Sequence, residues 1–324
     1  MIRKRNLDPS LSNWIMGQTG LGPGVGDIFF LTPATGATAQ FKKWIQGQNI
    51  DEGHYSSSLT AIEDKMVAGR NDVLVVLPGS HSLTAALTWD KSYTHIIGAG
   101  APVQINQRSR LVGALATVTP LFTLSADGCI IKNVMVDQQG SHATTAAVCG
   151  KVTGARNYLE NVTFRHIGAL GVVDNSWRPL VINSSDGENN FVRCTIGNDT
   201  VDGVTAANYV LEFNGAVQSA RNIFEDCIFF GNGSANSCFI LATTVSALAS
   251  FQIFKRCLFL NNDMGDLDAM TQGFNLHADN GGLFIFQDCL VYGAATLETS
   301  NSGKILVRNA PAAATGDICV AATF

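Results

Sequence analysis

Ile253-Phe254-Lys255-Arg256-Cys257-Leu258-Phe259-Leu260, followed by Asn261-Asn262, is the stretch that decides the fold, because it recurs. One period earlier stands Ile223-Phe224-Glu225-Asp226-Cys227-Ile228-Phe229-Phe230, followed by a Gly-Asn-Gly turn. One period later stands Ile285-Phe286-Gln287-Asp288-Cys289-Leu290-Val291-Tyr292. Weaker copies precede these, around Cys194, Asn161 and Asn133. The aligned column reads Asn133, Asn161, Cys194, Cys227, Cys257, Cys289, with spacings of 28, 33, 33, 30 and 32 residues. Each copy alternates apolar and polar residues and ends in a Gly/Asn turn, which is strand chemistry. A second apolar segment precedes each copy, as in Leu180-Val181-Ile182, Val210-Leu211-Glu212-Phe213 and Phe239-Ile240-Leu241.

Two or three strands per period of about thirty residues, without helical segments, make a solenoid. The Leu/Asn consensus of leucine-rich repeats is missing, and propeller blades need periods of roughly 40 residues or more. The expected fold class is all-β: a right-handed, single-stranded parallel β-helix, with an N-terminal arm and a short capping helix. Strands of successive coils then lie about 4.8 Å apart, and residues of one column stack. The ladder Asn133, Asn161, Cys194, Cys227, Cys257, Cys289 is therefore expected to point into the core. Its thiols would be reduced, and its asparagines bonded to each other along the stack. Cys129, Cys149, Cys238 and Cys319 fall outside this column and receive no role.

Composition agrees with a turn-rich β protein. Charged residues are only 15% of the chain and glycine is 32 of 324 residues, against about a quarter and ~7% on average. The net charge of −5 and the lack of a basic stripe beyond Arg3-Lys4-Arg5 argue against nucleic acid as a partner. No apolar run has the length of a membrane span. The first thirty residues lack a secretory h-region, so synthesis in a reducing bacterial cytoplasm is expected.

Three segments are expected. Residues 1–55 read as an N-terminal arm for attachment, with Trp14, Phe29 and Phe30 as its candidate contacts. Within it, residues 1–38 read as an extended arm plus one strand in the apolar stretch Ile28-Phe29-Phe30-Leu31, with a segment folded back on its own solenoid as the alternative. Residues 56–309 form the β-helix, opened by a capping helix at 56–69 whose apolar face is Leu59, Ile62, Met66 and Val67. Residues 310–324 form an apolar tail. A further short helix is expected at 40–46, with Trp44 packing down.

The run Asn71-Asp72-Val73-Leu74-Val75-Val76-Leu77-Pro78-Gly79, followed by Tyr93-Thr94-His95-Ile96-Ile97-Gly98-Ala99-Gly100, resembles the first coils of the pectate-lyase-like β-helix superfamily. The likeness is close over 71–100 and architectural over 101–309. It implies the fold; the superfamily's lyases, hydrolases and virion proteins leave activity open. The N-T-D, D-D, G-H-G and R-I-K motifs of polygalacturonase-type enzymes do not occur. The W-x-D-H segment of pectate lyases is matched neither at Trp89 nor at Trp177. No catalytic residue is carried over.

Remaining candidates are local. Asp263, Asp266 and Asp268 cluster in one turn, where a solvated turn is favoured over a Ca²⁺ site because the EF-hand spacing is absent. Asp186 and Glu188 form a second acidic turn, where two carboxylates could act on a glycosidic bond, although on a solenoid carboxylates of adjacent coils lie that close by construction. His95 and His166 fall in or just after strands and are read as structural. No metal or cofactor is expected.

The segments from Gly26-Asp27-Ile28-Phe29-Phe30-Leu31 to Pro78-Gly79 also resemble phage-encoded virion β-helix proteins. That likeness implies a structural protein of a bacteriophage particle, first a capsid decoration (cement) protein and second a tail component, located in the virion. It implies a homotrimer and, as partners, the major capsid protein or other virion proteins. The alternatives are a tail-spike polysaccharide-degrading enzyme, a glycoside hydrolase or lyase, and a module that binds a host glycan through aromatics such as Trp177. Deleting residues 1–38 is expected to leave a folded solenoid that no longer attaches.

Overall fold

The computed structural model describes residues 9–20, 26–33, 43–44, 47, 50, 52–113, 118–140, 147–166, 177–198, 208–215, 218–233, 235–261, 269–299 and 303–308. Three long parallel sheets run the length of the molecule, and from Val73 onward consecutive strands of the chain lie in different sheets. Among the described residues, sheet A has eleven strands, sheet B eight and sheet C seven. The chain visits A, B and C in turn and then climbs one step. This is a right-handed parallel β-helix, the sense that parallel crossovers take.

Coils are counted from their sheet A strands. Val73–Val76 opens coil 1, His95–Gly98 coil 2, Ile130–Lys132 coil 3 and Tyr158–Glu160 coil 4. Asn190–Val192 opens coil 5, Ser219–Glu225 coil 6, Leu248–Lys255 coil 7 and Leu283–Gln287 coil 8, and Ile305–Arg308 begins a ninth.

Alternation along each strand sends one residue inward per coil, and like side chains meet. Phe191, Phe224, Phe254 and Phe286 form one column, with successive ring centroids 4.6, 4.8 and 5.0 Å apart and planes within 14°. Phe229 stacks on Phe259 at 4.4 Å beside them. The cysteines form a second column. The thiols of Cys194, Cys227, Cys257 and Cys289 each donate to a main-chain carbonyl of the coil below, those of Leu159, Phe191, Phe224 and Phe254, at 3.3–3.5 Å. All four are free thiols.

The expected column of six is two columns. Met135 pairs with Thr163, Thr163 with Thr195, Thr195 with Ile228, Ile228 with Leu258 and Leu258 with Leu290. Stepping back one residue places Val134 and Val162 in the cysteine column, and both are buried. Asn133 and Asn161 belong one position earlier, with Arg193, Asp226, Arg256 and Asp288. All six of these have φ between 51° and 56°. This is the left-handed corner between sheets A and B, a conformation that asparagine tolerates better than most residues. The asparagines do bond to each other, Asn161 Nδ2 donating to Asn133 Oδ1 at 2.8 Å, but at the corner and not in the core.

A fully buried amide ladder lies elsewhere, at the start of the sheet A strands. Oδ1 of Asn157 accepts from the Cys129 amide, Oδ1 of Asn189 from the Asn157 amide and Oδ1 of Asn222 from the Asn189 amide. Gln252 continues it by accepting from the Asn222 amide, after an irregularity in strand pairing next to Asn222. These four side chains are inaccessible to solvent, and each satisfies main-chain donors that the turns leave unpaired.

The N-terminal end departs most from expectation. Pro9–Thr19 is a helix in place of the expected extended arm, and the one expected strand is Ile28–Leu31, which lies in sheet A between Tyr55–Ser56 and Val73–Val76, so the segment folds back on its own solenoid. Ile15 of the helix covers the outer side of Ile28, Phe30, Val73, Val75 and Ile97, with Trp14 packed at the margin. The capping helix spans only Leu59–Glu63, with Ser58 as its N-cap. It ends early because the amides of Lys65 and Met66 bond three residues back, and the buried Asp72 takes the Val67 amide at 2.8 Å. Leu59, Ile62 and Met66 still plug the first coil, whereas Val67 is 47% exposed. Trp44 is also exposed, touching Phe30 edge-on. The tail 310–324 lies outside the described residues.

Candidate functional site

Charged side chains gather on the outer corners of sheet A, where left-handed residues throw them outward. Glu188 lies between Arg156 of coil 4 and Arg221 of coil 6, at 2.8 and 2.7 Å. Glu160 pairs with Lys132 below at 2.8 Å and with Arg193 above. Arg256 bonds both Glu225 and Asp226, at 2.5 and 2.7 Å, and Lys255 bonds Glu225 at 3.2 Å. Arg221 and Arg156 hold the Glu188 carboxyl below the ordinary carboxylate range. Arg256 does the same for Glu225 and Asp226. A carboxylate held ionised in this way is a poor proton donor, so Glu188 lacks the raised affinity a glycosidic general acid needs.

Asp186 lines a shallow open recess of about 500 Å³ with Ser185, Gln218, Arg221 and Ser250. The structure thus gives the expected acidic pair two different settings: Glu188 bridges two arginines, and Asp186 faces the recess.

Sheet C carries a second polar cluster. Val181, Glu212, Leu241 and Asn275 succeed Lys151 in one outward column. Glu212 is bound by Arg178, whose guanidinium lies 5.0 Å from the centre of the Tyr209 ring. The connections from sheet B to sheet C at this edge are long: 139–147, 167–177 and 198–208. The corners from A to B in coils 3 to 8 need only one or two residues. Sequence reasoning missed Arg178, Tyr209 and Glu212. The signal available was that Arg178 and Glu212 stand 34 positions apart, about one period.

Phe29 and Phe30 are 3% and 0% exposed. Phe29 faces the solenoid core and stacks on His54, whereas Phe30 lies under the N-terminal helix, so neither presents a contact surface. Trp14 is half-buried. Trp177 is buried rather than exposed, at 6%, and so offers no sugar platform. His95 is buried, accepts from the Ile130 amide through Nδ1 at 3.0 Å, and is pushed down to about 4 by burial. His81 is likewise buried and bonded to the Leu77 carbonyl. The His166 side chain and Asp263, Asp266 and Asp268 lie outside the described residues. Among the described residues no group of three or more His, Cys, Asp or Glu is placed to hold a metal ion. No helix there is long and apolar enough to cross a membrane.

No protein-family profile matches the chain, and no curated protein matches it. Solved structures do. A pectate lyase, Pel9A, superposes with a TM-score of 0.57 at 15% identity, over 85% of this chain and 65% of its own. A rhamnogalacturonan lyase gives 0.57 at 14% identity, over 82% and 68%. The fold is the pectate-lyase-like parallel β-helix. The chain spans just under two thirds of the pectate lyase's length, and at these identities the likeness concerns architecture alone. ORF18 of Geobacillus virus E2 superposes more loosely, with a TM-score of 0.36 at 12% identity, too loosely to bear on role.

Proposed function

We propose that this pectate-lyase-like β-helix is a non-enzymatic structural protein of a bacteriophage particle, a capsid decoration protein acting as a homotrimer against the major capsid protein. One observation carries the reading: the carboxylates of Asp137, Glu160, Glu188, Glu212, Glu225 and Asp226 are each engaged by a basic side chain of a neighbouring coil. Their charge fastens coil to coil, as a rigid structural rod requires. The virion-like opening segments of the sequence support the same reading.

The N-terminal truncation suggested by the sequence is not a usable test. Removing residues 1–38 would delete a strand of sheet A. The suitable experiment uses the whole chain. Purified protein should co-sediment with particles lacking it and release no sugar from capsular or pectic polysaccharides.

A second reading, a polysaccharide-degrading enzyme or host-glycan binder, is favoured by the Arg178–Glu212–Tyr209 cluster on sheet C, and by two lyases among the fold neighbours. Unsaturated uronate or reducing ends released by the wild type, and lost in Glu212→Gln or Asp186→Asn, would establish it and displace the structural proposal.

A further inference from the structure

In coils 3 to 8 the A-to-B corner is one or two residues long. In coil 2 it is residues 99–108, between the strands His95–Gly98 and Ser109–Gly113. Although Val103 and Ile105 are exposed, the segment is tied by hydrogen bonds to three later coils. The Gln104 carbonyl accepts from Thr195 Oγ1 of coil 5 at 2.7 Å and from Thr163 Oγ1 of coil 4 at 3.3 Å. The Ile105 carbonyl accepts from the same Thr163 hydroxyl at 3.1 Å, and Asn106 Oδ1 accepts from Arg165 at 3.3 Å. Farthest away, Gln104 Nε2 donates to the Asp226 carbonyl of coil 6 at 3.1 Å, across 122 residues of sequence.

The segment is braced from within. Gln107 is 1% exposed, accepts from the Val103 amide through Oε1 and donates to the Val103 carbonyl through Nε2. Arg110 holds the Gln107 carbonyl at 3.0 Å. Thr163 and Thr195 are each 1% exposed. They are polar residues at the outer corner, yet neither is open to water.

We propose that residues 99–108 form an axial strap that couples coil 2 directly to coils 4, 5 and 6. In a simple solenoid each coil contacts only its neighbours, so opening proceeds coil by coil and stability is a sum of nearest-neighbour terms. A strap spanning four coil steps, roughly 19 Å, breaks that rule. Coils 4 to 6 cannot part at their A-to-B corner unless the strap releases, and the strap is anchored in coil 2. The sheet B edge of coils 2 to 6 then opens as one cooperative unit.

Amide hydrogen exchange followed by mass spectrometry tests this on the full chain. In a variant with residues 101–106 replaced by two glycines, amides of Thr163–His166 and Thr195–Gly197 should exchange about tenfold faster, although they lie two and three coils from coil 2, where the strap is rooted. Thr195→Val, which keeps side-chain shape and removes one strap bond, should accelerate Thr195–Gly197 roughly threefold; it decides the matter if the shortened variant does not fold. Faster exchange confined to coils 1 to 3, or no change in Thr195→Val, would overturn the proposal.

Discussion

The ring of Phe224 lies 4.8 Å from that of Phe254 with 5° between their planes, the same relation that Phe254 keeps with Phe286 at 5.0 Å. Successive coils therefore present the same side chain in the same rotameric setting. Phe254 has stacked neighbours on both sides and no exposure. Phe254→Ala should lower unfolding free energy by about 3–5 kcal/mol, the usual result of emptying a large buried aromatic site. Guanidinium unfolding monitored by circular dichroism checks this. A loss below about 1 kcal/mol would mean the column is not packed as described.

Asn222 accepts from both the main-chain and the side-chain amide of Asn189 and donates to Gln252. Asn222→Leu would orphan the buried main-chain amide of Asn189 on the coil below and take a donor from Gln252 Oε1 on the coil above, at about 1–3 kcal/mol for a buried group left unpaired. The same unfolding experiment should find it more destabilising than Asn133→Gly at the corner, where glycine accepts the left-handed backbone and water can replace the lost bond.

The buried His95 gives a pH dependence with a definite sign. Its folded value, about 4, lies below the unfolded value near 6.5. Above 6.5 both states are neutral and the group contributes no slope. Between 6.5 and 4 only the unfolded chain binds the proton, so stability falls with pH, by roughly 3 kcal/mol in all; below 4 the loss is complete. His95→Gln, which keeps an acceptor near the Ile130 amide, should flatten the denaturation midpoint across that window. The ion pairs of Glu188, Glu225 and Asp226 act at lower pH. Their depressed carboxyl values contribute stability above the unfolded carboxylate range, and it is lost on further acidification.

Burial pushes the thiols of Cys149, Cys227 and Cys238 well up from the ordinary range, and that of Cys129 to about 11. In the folded protein, peptide mapping after iodoacetamide treatment should find these four unmodified. Cys289, half-buried at the last described corner, should be modified slowly. Guanidinium should make all five reactive. Rapid native labelling of Cys227 would contradict its place in the core.

How far the sequence could be read follows from which residues repeat. Phe224, Phe254 and Phe286 recur with Cys227, Cys257 and Cys289 because the core demands like shapes in one column, and that periodicity revealed the fold. The register slipped by one at Asn133 and Asn161. There the core residue is Val134 or Val162, and the conspicuous asparagine serves the left-handed corner beside it. The strap was invisible, since Gln104 meets Thr195 and Asp226 through carbonyls and an amide that leave no periodic trace. Phe29 and Phe30 looked like an adhesive arm because their partners, Leu74 and Val75, stand 45 positions later in the chain, outside the thirty-residue period. Glu188 was legible as an acidic turn, but its arginines stand one period away on either side. Asp186 and Glu188 were therefore read as a pair when each faces a different group.

The stacking itself can be measured as a ruler. Lys132, Glu160, Val192, Glu225, Lys255, Gln287 and Arg308 occupy one outward column in register. Pulsed electron spin resonance between a label at Lys132 and a second at Lys255, Gln287 or Arg308 reads four, five and six coil steps. The predicted backbone separations are about 19, 24 and 29 Å, rising linearly. Distances that fail to increase along this series, or that grow by much more than one strand spacing per step, would contradict the β-helix described here.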